Sequence, residues 1–161
     1  MFLAIEAKKR SLERSANNRN IWRNLSHRFP HPYTEADAGS WLGRIAASER
    51  PTQWAIEVDG DAVGGIGVEI GEGIHVQSGL FGYWLAEPHW GRGIATAAVR
   101  VCTDHVFAVL ALERLEASVF AWNPASMRVL EKCGFAREGV LRRSAFKDGR
   151  LIDTVLYARL R

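Results

Sequence analysis

Residues 87–99 read EPHWGRGIATAAV, with Gly91 and Gly93 bracketing Arg92 just before Ile94, Ala95, Thr96 and a run of small apolar residues. Glycine loses more freedom on ordering than any other residue, so a pair of them at the doorway of a helix needs a reason. A strand that ends here and continues as a helix directs several free amides, and the positive end of the helix dipole, at one point. Lacking Cβ, the glycines permit positive φ and let an anion's oxygens rest against the main chain. The six residues GRGIAT also fit a loop that merely turns a corner. They lack the Gly-Lys-Ser/Thr of a nucleoside triphosphate loop. They also lack the third glycine and later acidic residue of a dinucleotide site.

Working outward, residues 77–85 (QSGLFGYWL) form the strand that feeds the loop. Ala95, Val99, Cys102, Val106 and Val109 recur at spacings of three and four, which predicts one face of a helix over 94–110. Residues 114–120 (RLEASVF) are the next strand, and a strand–helix–strand connection favours a parallel pair. Asn123 caps a following helix with Pro124 at its first position, and Gly134 ends it. Two hairpins flank this unit. The first joins 52–58 to 62–70 through Asp59-Gly60-Asp61, with Ile66, Val68 and Ile70 on one face and Gly65, Gly67 and Glu69 on the other. The second turns at Asp148-Gly149. Near the start, 11–26 predicts a helix with a weak polar centre, and Thr34 with Asp37 predicts a capping box opening a helix to about Ser48. With no repeat or linker, 1–161 reads as a single mixed α/β domain.

Composition narrows the class. A chain of 161 residues with 47% apolar and 24% charged side chains, and no apolar run near ~18 residues, reads as a soluble globular protein with no membrane partner. The opening MFLAIEAKKR is short for a signal peptide and carries its charges on the wrong side, which predicts a cytoplasmic protein. Cys102 and Cys133 each sit in a helical apolar pattern and read as buried free thiols. His27, His31, His75, His89 and His105 show no metal-ligand spacing, so no metal is expected. Residues 1–30 hold seven Lys/Arg against two acids, whereas 31–86 hold two against eight. The basic ends carry no nucleic-acid-binding motif, and nucleic acid is not the expected partner. Monomer and homodimer both remain open.

The stretches FGYWLAEPHWGRGIATAAV, VFAWNPASMRVLEKCGFAREGVLRRSAFKDG and DTVLYARL resemble the GNAT acetyltransferase superfamily, and within it the branch of ribosomal-protein N-terminal acetyltransferases (RimJ/RimL-like). PASMRVLEKCGF after Asn123 is more specific than the glycines. The resemblance spans about residues 11–161. It implies a mostly antiparallel central sheet with a splayed parallel pair in its middle, helices on both faces, and acetyl-CoA (coenzyme A) as cofactor. It implies that the strand before the loop is bulged, with backbone groups of Tyr83, Trp84 and Leu85 offered to the pantetheine arm. The amides of Gly91, Arg92, Gly93, Ile94, Ala95 and Thr96 would hold the pyrophosphate, with Trp90 where the wider family has Gln or Arg. Asn123 would bond the pantetheine, beside its plain capping role. Ser126 would give a proton or hydrogen bond to the leaving thiolate.

The implied reaction is direct attack of a neutral primary amine on the thioester in a ternary complex, the amine belonging to a small molecule or to a peptide or protein N-terminus. Two carboxylates expected by resemblance are missing, since Leu80 and Ala145 stand at their positions. Glu69 and Asp153 remain as candidates for base or amine anchor, and surface carboxylates are the plainer reading of both. Trp22, Phe29, Tyr33 and Tyr157 are the implied acceptor-lining residues. The loss of two carboxylates also motivates a rival, a non-catalytic acyl-CoA-binding module. MFLAIEAKKR replaces the family's usual first strand, which leaves that strand short or shifted.

Overall fold

The computed structural model describes residues 2–161. Five helices and six strands follow one another as α1 (Phe2–Ala16), α2 (Arg19–Trp22), α3 (Glu35–Ala47), β1 (Gln53–Val58), β2 (Asp61–Ile70), β3 (Ser78–Leu85), α4 (Ile94–Val109), β4 (Arg114–Phe120), α5 (Pro124–Lys132), β5 (Ala136–Lys147) and β6 (Arg150–Leu160). The strands form one sheet in the order β1-β2-β3-β4-β6-β5. Every neighbouring pair is antiparallel except β3 and β4.

Local chemistry explains most boundaries. Thr34 accepts the Asp37 amide while the Asp37 carboxylate takes the Thr34 amide, so the expected capping box opens α3. Asp59 and Gly60 both have positive φ, as do Asp148 and Gly149, which makes both hairpin turns of the primed kind that matches strand twist. At the start of the chain the expectation fails twice. The helix begins at Phe2, so among the described residues no strand precedes Gln53. It also stops at Ala16 instead of running on, because the Asn18 side chain accepts the Asn20 amide at 2.7 Å and starts a separate short helix.

The sheet is covered on both faces. Ile66, Val68, Phe81, Leu85, Leu115, Ala117, Val119, Val155 and Tyr157 pack with Val99, Cys102, Val106 and Phe107 of α4 and Leu130 of α5. Val109 does not join them and is exposed at the end of α4. On the opposite face Ala62 packs with Leu12 and Ala16 of α1 and Ala38 of α3, bordered by Phe29, Trp41 and Trp84. The small face of β2 follows from that second layer: a Cβ on Gly65 would sit 2.7 Å from the Trp84 indole nitrogen and 3.1 Å from the Trp41 ring.

What positions the site is the brevity of the parallel ladder. β3 and β4 pair only over Ser78–Arg114, Gly79–Leu115 and Leu80–Glu116, although both strands continue to Leu85 and Phe120. The expected bulge is absent from the β2–β3 ladder, which runs without a register shift from Gly64–Leu85 to Ile70–Gly79. The gap opens because β4 departs with β6.

Candidate active site

Alternation along β3 decides which groups face the gap. The Ala86 amide donates to Val63 and the Trp84 carbonyl lies against Gly64, so the backbones of Trp84 and Ala86 are turned toward β2. Strand pleating then turns the main-chain groups of Tyr83 and Leu85 toward β4, where no ladder meets them. Among the described residues no β4 partner pairs with Tyr83. The Leu85 carbonyl accepts the Trp90 indole N–H at 2.7 Å, leaving its amide. Of the three residues expected to offer backbone, Trp84 turns its main chain toward β2, and Trp90 lines the cleft while its indole N–H is spent on the Leu85 carbonyl.

At the end of β3 the loop behaves as its glycines require. Gly91 and Gly93 have φ of 73° and 78°, and Gly93 caps α4 in the left-handed region with no side-chain bond. The first helical bond runs from the Ala97 amide to the Gly93 carbonyl, so the amides of Ile94, Ala95 and Thr96 have no helical partner. A Cβ on either glycine would meet nothing within 4 Å, so it is backbone angle that selects glycine here. Arg92 turns to the His89 ring, 3.3 Å away, and does not line the cleft.

A cleft of about 1110 Å³ passes through the gap and is lined by Tyr83, Trp84, Leu85, Gly91, Gly93, Ile94, Ala95, Thr96, Asn123 and Ser126, all expected site residues. Small-molecule pockets usually span ~300–1,000 Å³, so this volume stands at the upper end of that range. On the α5 side the Asn123 carboxamide accepts the Ser126 amide at 3.2 Å, fixing the first turn. The Tyr83 hydroxyl, whose role the sequence did not reveal, lies 2.8 Å from Ser126 Oγ and 3.2 Å from the Ser126 carbonyl oxygen. Burial pushes the Tyr83 phenol up to about 12, so it keeps its proton at ordinary pH. Arg128 and Lys132, one turn apart on α5, add positive charge to the same wall.

Through the gap, the other wall holds Phe29 and Tyr33 as expected, with Arg28, Glu69, Leu80 and an unanticipated stripe of α3, Asp37, Ser40, Trp41 and Arg44. Phe29 stacks on Tyr33 and meets the edge of Trp84. Glu69 is engaged by Arg28 at 2.7 Å. Three expected residues lie elsewhere. Trp22 packs under the Lys147 ammonium, 3.7 Å above its ring, and against His31. Tyr157 is 1% exposed in the core and donates to Glu131 at 2.8 Å. The Asp153 carboxylate accepts the Arg143 amide at 2.7 Å, holding the irregular part of β5. The spacing of α3 carries the 3, 4, 7 signal of one helix face, but only the sheet shows what that face meets.

Both cysteines are buried and free, with burial raising the Cys102 thiol to about 12. No helix among the described residues is long and apolar enough to cross a membrane.

Fold and cleft together define an α/β protein with a cleft that runs from a glycine loop at a helix start along the parted edge of a mixed sheet. The chain matches the model of the Acetyltransferase (GNAT) domain over residues 6–136, and it belongs to that family. It is 46% identical over 74 residues to the probable N-acetyltransferase YjcK of Bacillus subtilis (strain 168), an overlap of 46% of this chain and 41% of the relative. The chain thus spans about half the length of the first curated relatives it matches. The L-amino acid N-acetyltransferase AaaT of Escherichia coli (strain K12) is 28% identical over 135 residues, covering 82% of this chain and 80% of AaaT. Among solved structures, Mycobacterium smegmatis RimJ in complex with CoA-disulfide superposes with a TM-score of 0.80 and 29% identity, covering 99% of this chain and 78% of RimJ.

Proposed function

We propose that the protein is an acetyl-CoA-dependent N-acetyltransferase that acetylates a primary α-amine by direct attack within a ternary complex. The observation that carries this reading is the cleft itself, which joins an anion-binding loop to a second chamber through an unpaired stretch of β3. The residues fit coenzyme A. Free amides at Ile94, Ala95 and Thr96 suit a pyrophosphate, and Arg128 and Lys132 add charge beside them. The cofactor supplies the acetyl thioester.

The chain's own groups supply the rest. The Tyr83 amide faces the gap and would donate to the carbonyl oxygen as negative charge develops there. Ser126 would donate its hydroxyl proton in a hydrogen bond to the departing sulfur. Tyr83, bonded to Ser126 Oγ, aims that proton into the cleft. Glu69 is the one proposed base that lines the cleft, and Arg28 already occupies it. Such a base-poor site favours an acceptor that is partly neutral in solution. An α-amine of pKa ~7.7–8.0 is about a quarter neutral near pH 7.4, whereas a lysine at ~10.4 is about 0.1% neutral, a handicap of about 3 kcal/mol. The ribosomal-protein-serine acetyltransferase of Escherichia coli (strain K12) and the L-amino acid N-acetyltransferase AaaT, both similar to this chain, keep protein and free amino acid acceptors in view.

Thiol release from acetyl-CoA, measured against peptide α-amines, free amino acids, lysine peptides and polyamines, tests the reading. Turnover strongest with α-amines supports it. Binding of acetyl-CoA with no amine consumed would leave only a binding module, and no binding would overturn the assignment of the glycine loop.

A further inference from the structure

The second chamber has donors to spare, while its two carboxylates, Asp37 and Glu69, are each already engaged through one oxygen. Asp37 accepts both the amide and the hydroxyl of Thr34, at 2.9 and 2.6 Å, and these bonds hold its pKa below the usual carboxylate range. Glu69 is spanned by Arg28 at 2.7 Å. The Gln53 side-chain oxygen accepts the Trp41 indole N–H at 2.8 Å. Against these engaged acceptors stand Arg44 and the Tyr33 hydroxyl. Both line the cleft, and neither the guanidinium nor the hydroxyl has a hydrogen-bond or ion-pair partner among the described residues. They are close enough that Arg44 lowers the Tyr33 pKa, although burial first and Asp37 second carry it up to about 12. Tyr33 is therefore a neutral donor at any ordinary pH. His27 borders the same chamber.

From this imbalance we propose that the acceptor carries a carboxylate close to its amine, and that Arg44 with the Tyr33 hydroxyl forms the subsite that reads it. A guanidinium offers two parallel donors to a carboxylate, and the adjacent phenol adds a third. The remaining wall, Phe29 and Trp84 with Gly65 and Gly82, is apolar or small and takes the carbon skeleton between the two ends. The shared chemistry, an α-amine with a carboxylate a few bonds away, belongs to a free amino acid or to a peptide whose first residue is acidic. This subsite deepens the transferase reading and rests on it for the direction from which the amine arrives.

The test measures acceptor binding by calorimetry on the full chain saturated with coenzyme A, beside thiol release from acetyl-CoA. Two matched pairs are compared, L-leucine with L-leucinamide and Asp-Leu-amide with Asn-Leu-amide, with spermidine as a third arm. In one pair the carboxylate-bearing member binds at least about tenfold more tightly, and which pair does so identifies the source. Arg44→Gln abolishes that preference, and Tyr33→Phe reduces it. The proposal is overturned if neither pair shows a preference, if spermidine binds more tightly than all four, or if the preference survives Arg44→Gln. Turnover reports on the other reading: a carboxylate preference without thiol release from any acceptor would remove the transferase and keep the subsite.

Discussion

Tyr83 has one proton and two acceptors on Ser126, Oγ at 2.8 Å and the carbonyl oxygen at 3.2 Å. When the proton goes to Oγ, the serine's own proton is free for the cleft; when it goes to the carbonyl, the serine hydroxyl can turn back onto Tyr83. Removing the phenol in Tyr83→Phe ends this control without opening a large void. The orienting bond is a neutral one, worth about 1 kcal/mol, or roughly a fivefold fall in kcat. The bond from Ser126 to a charged sulfur is worth about 1.5–3 kcal/mol, so Ser126→Ala should lower kcat by roughly 10- to 150-fold. The informative variant is the double one. If Tyr83 acts through Ser126, adding Tyr83→Phe to Ser126→Ala costs less than about twofold more, a coupling close to 1 kcal/mol. Steady-state kcat and KM for both substrates give the cycle, and calorimetric binding of coenzyme A shows whether the cleft is intact. A fivefold loss in both backgrounds, or a loss in cofactor binding that matches the loss in rate, would refute the orienting role.

Other expectations follow from single positions. Gly65→Ala drives a Cβ to 2.7 Å from the Trp84 indole nitrogen and should cost about 1–3 kcal/mol, seen as a lower Tm, whereas Gly82→Ala meets nothing within 4 Å and should raise acceptor KM at nearly unchanged Tm. Gly93→Ala forces an L side chain onto φ of 78°, costing about 1–2 kcal/mol, and should weaken coenzyme A binding measured by calorimetry more than it lowers Tm. Lys147 is 5% exposed, its ammonium has no hydrogen-bond partner, and burial lowers its pKa, so Lys147→Met should leave Tm equal or higher. Because the folded pKa lies below the unfolded value of 10.5, the parent gains stability as pH rises between the two, and the gap to Lys147→Met in denaturant titrations should narrow there.

Much of this arrangement was legible in the sequence because it is written in local chemistry. Asp-Gly turns, the Thr34–Asp37 box, the Asn123-Pro124 start and the paired glycines each act within a few residues, and the strands and helices they bound are found as expected. Legibility ended where a side chain's role depends on its distant neighbours. Tyr157 shares a strand face with Asp153 as the alternation required, yet that face is roofed by α5 and closed to ligand. Trp22 was expected to line the acceptor chamber because it is aromatic, but the hairpin tip brings Lys147 over it. Tyr83 was read for its backbone, and only the approach of α5 to β3 gives its hydroxyl a partner. Arg44 was passed over because one arginine on a polar helix face carries no signal until the groups around it have been paired off.

Three residue pairs are a narrow seam for a six-stranded sheet. On one side of it β1, β2 and β3 form one leaf, and on the other β4, β5 and β6 form a second, each held by its own antiparallel ladders. The leaves are stitched at the Ser78–Arg114 end and free at the end where the glycine loop begins, as in a book held by a few threads at one corner. A ligand with amide groups of its own, laid along Tyr83, would become the missing rungs. In mechanical terms it is a removable strand: bound, it bridges two leaves that otherwise share only a short seam and the core packed beneath them.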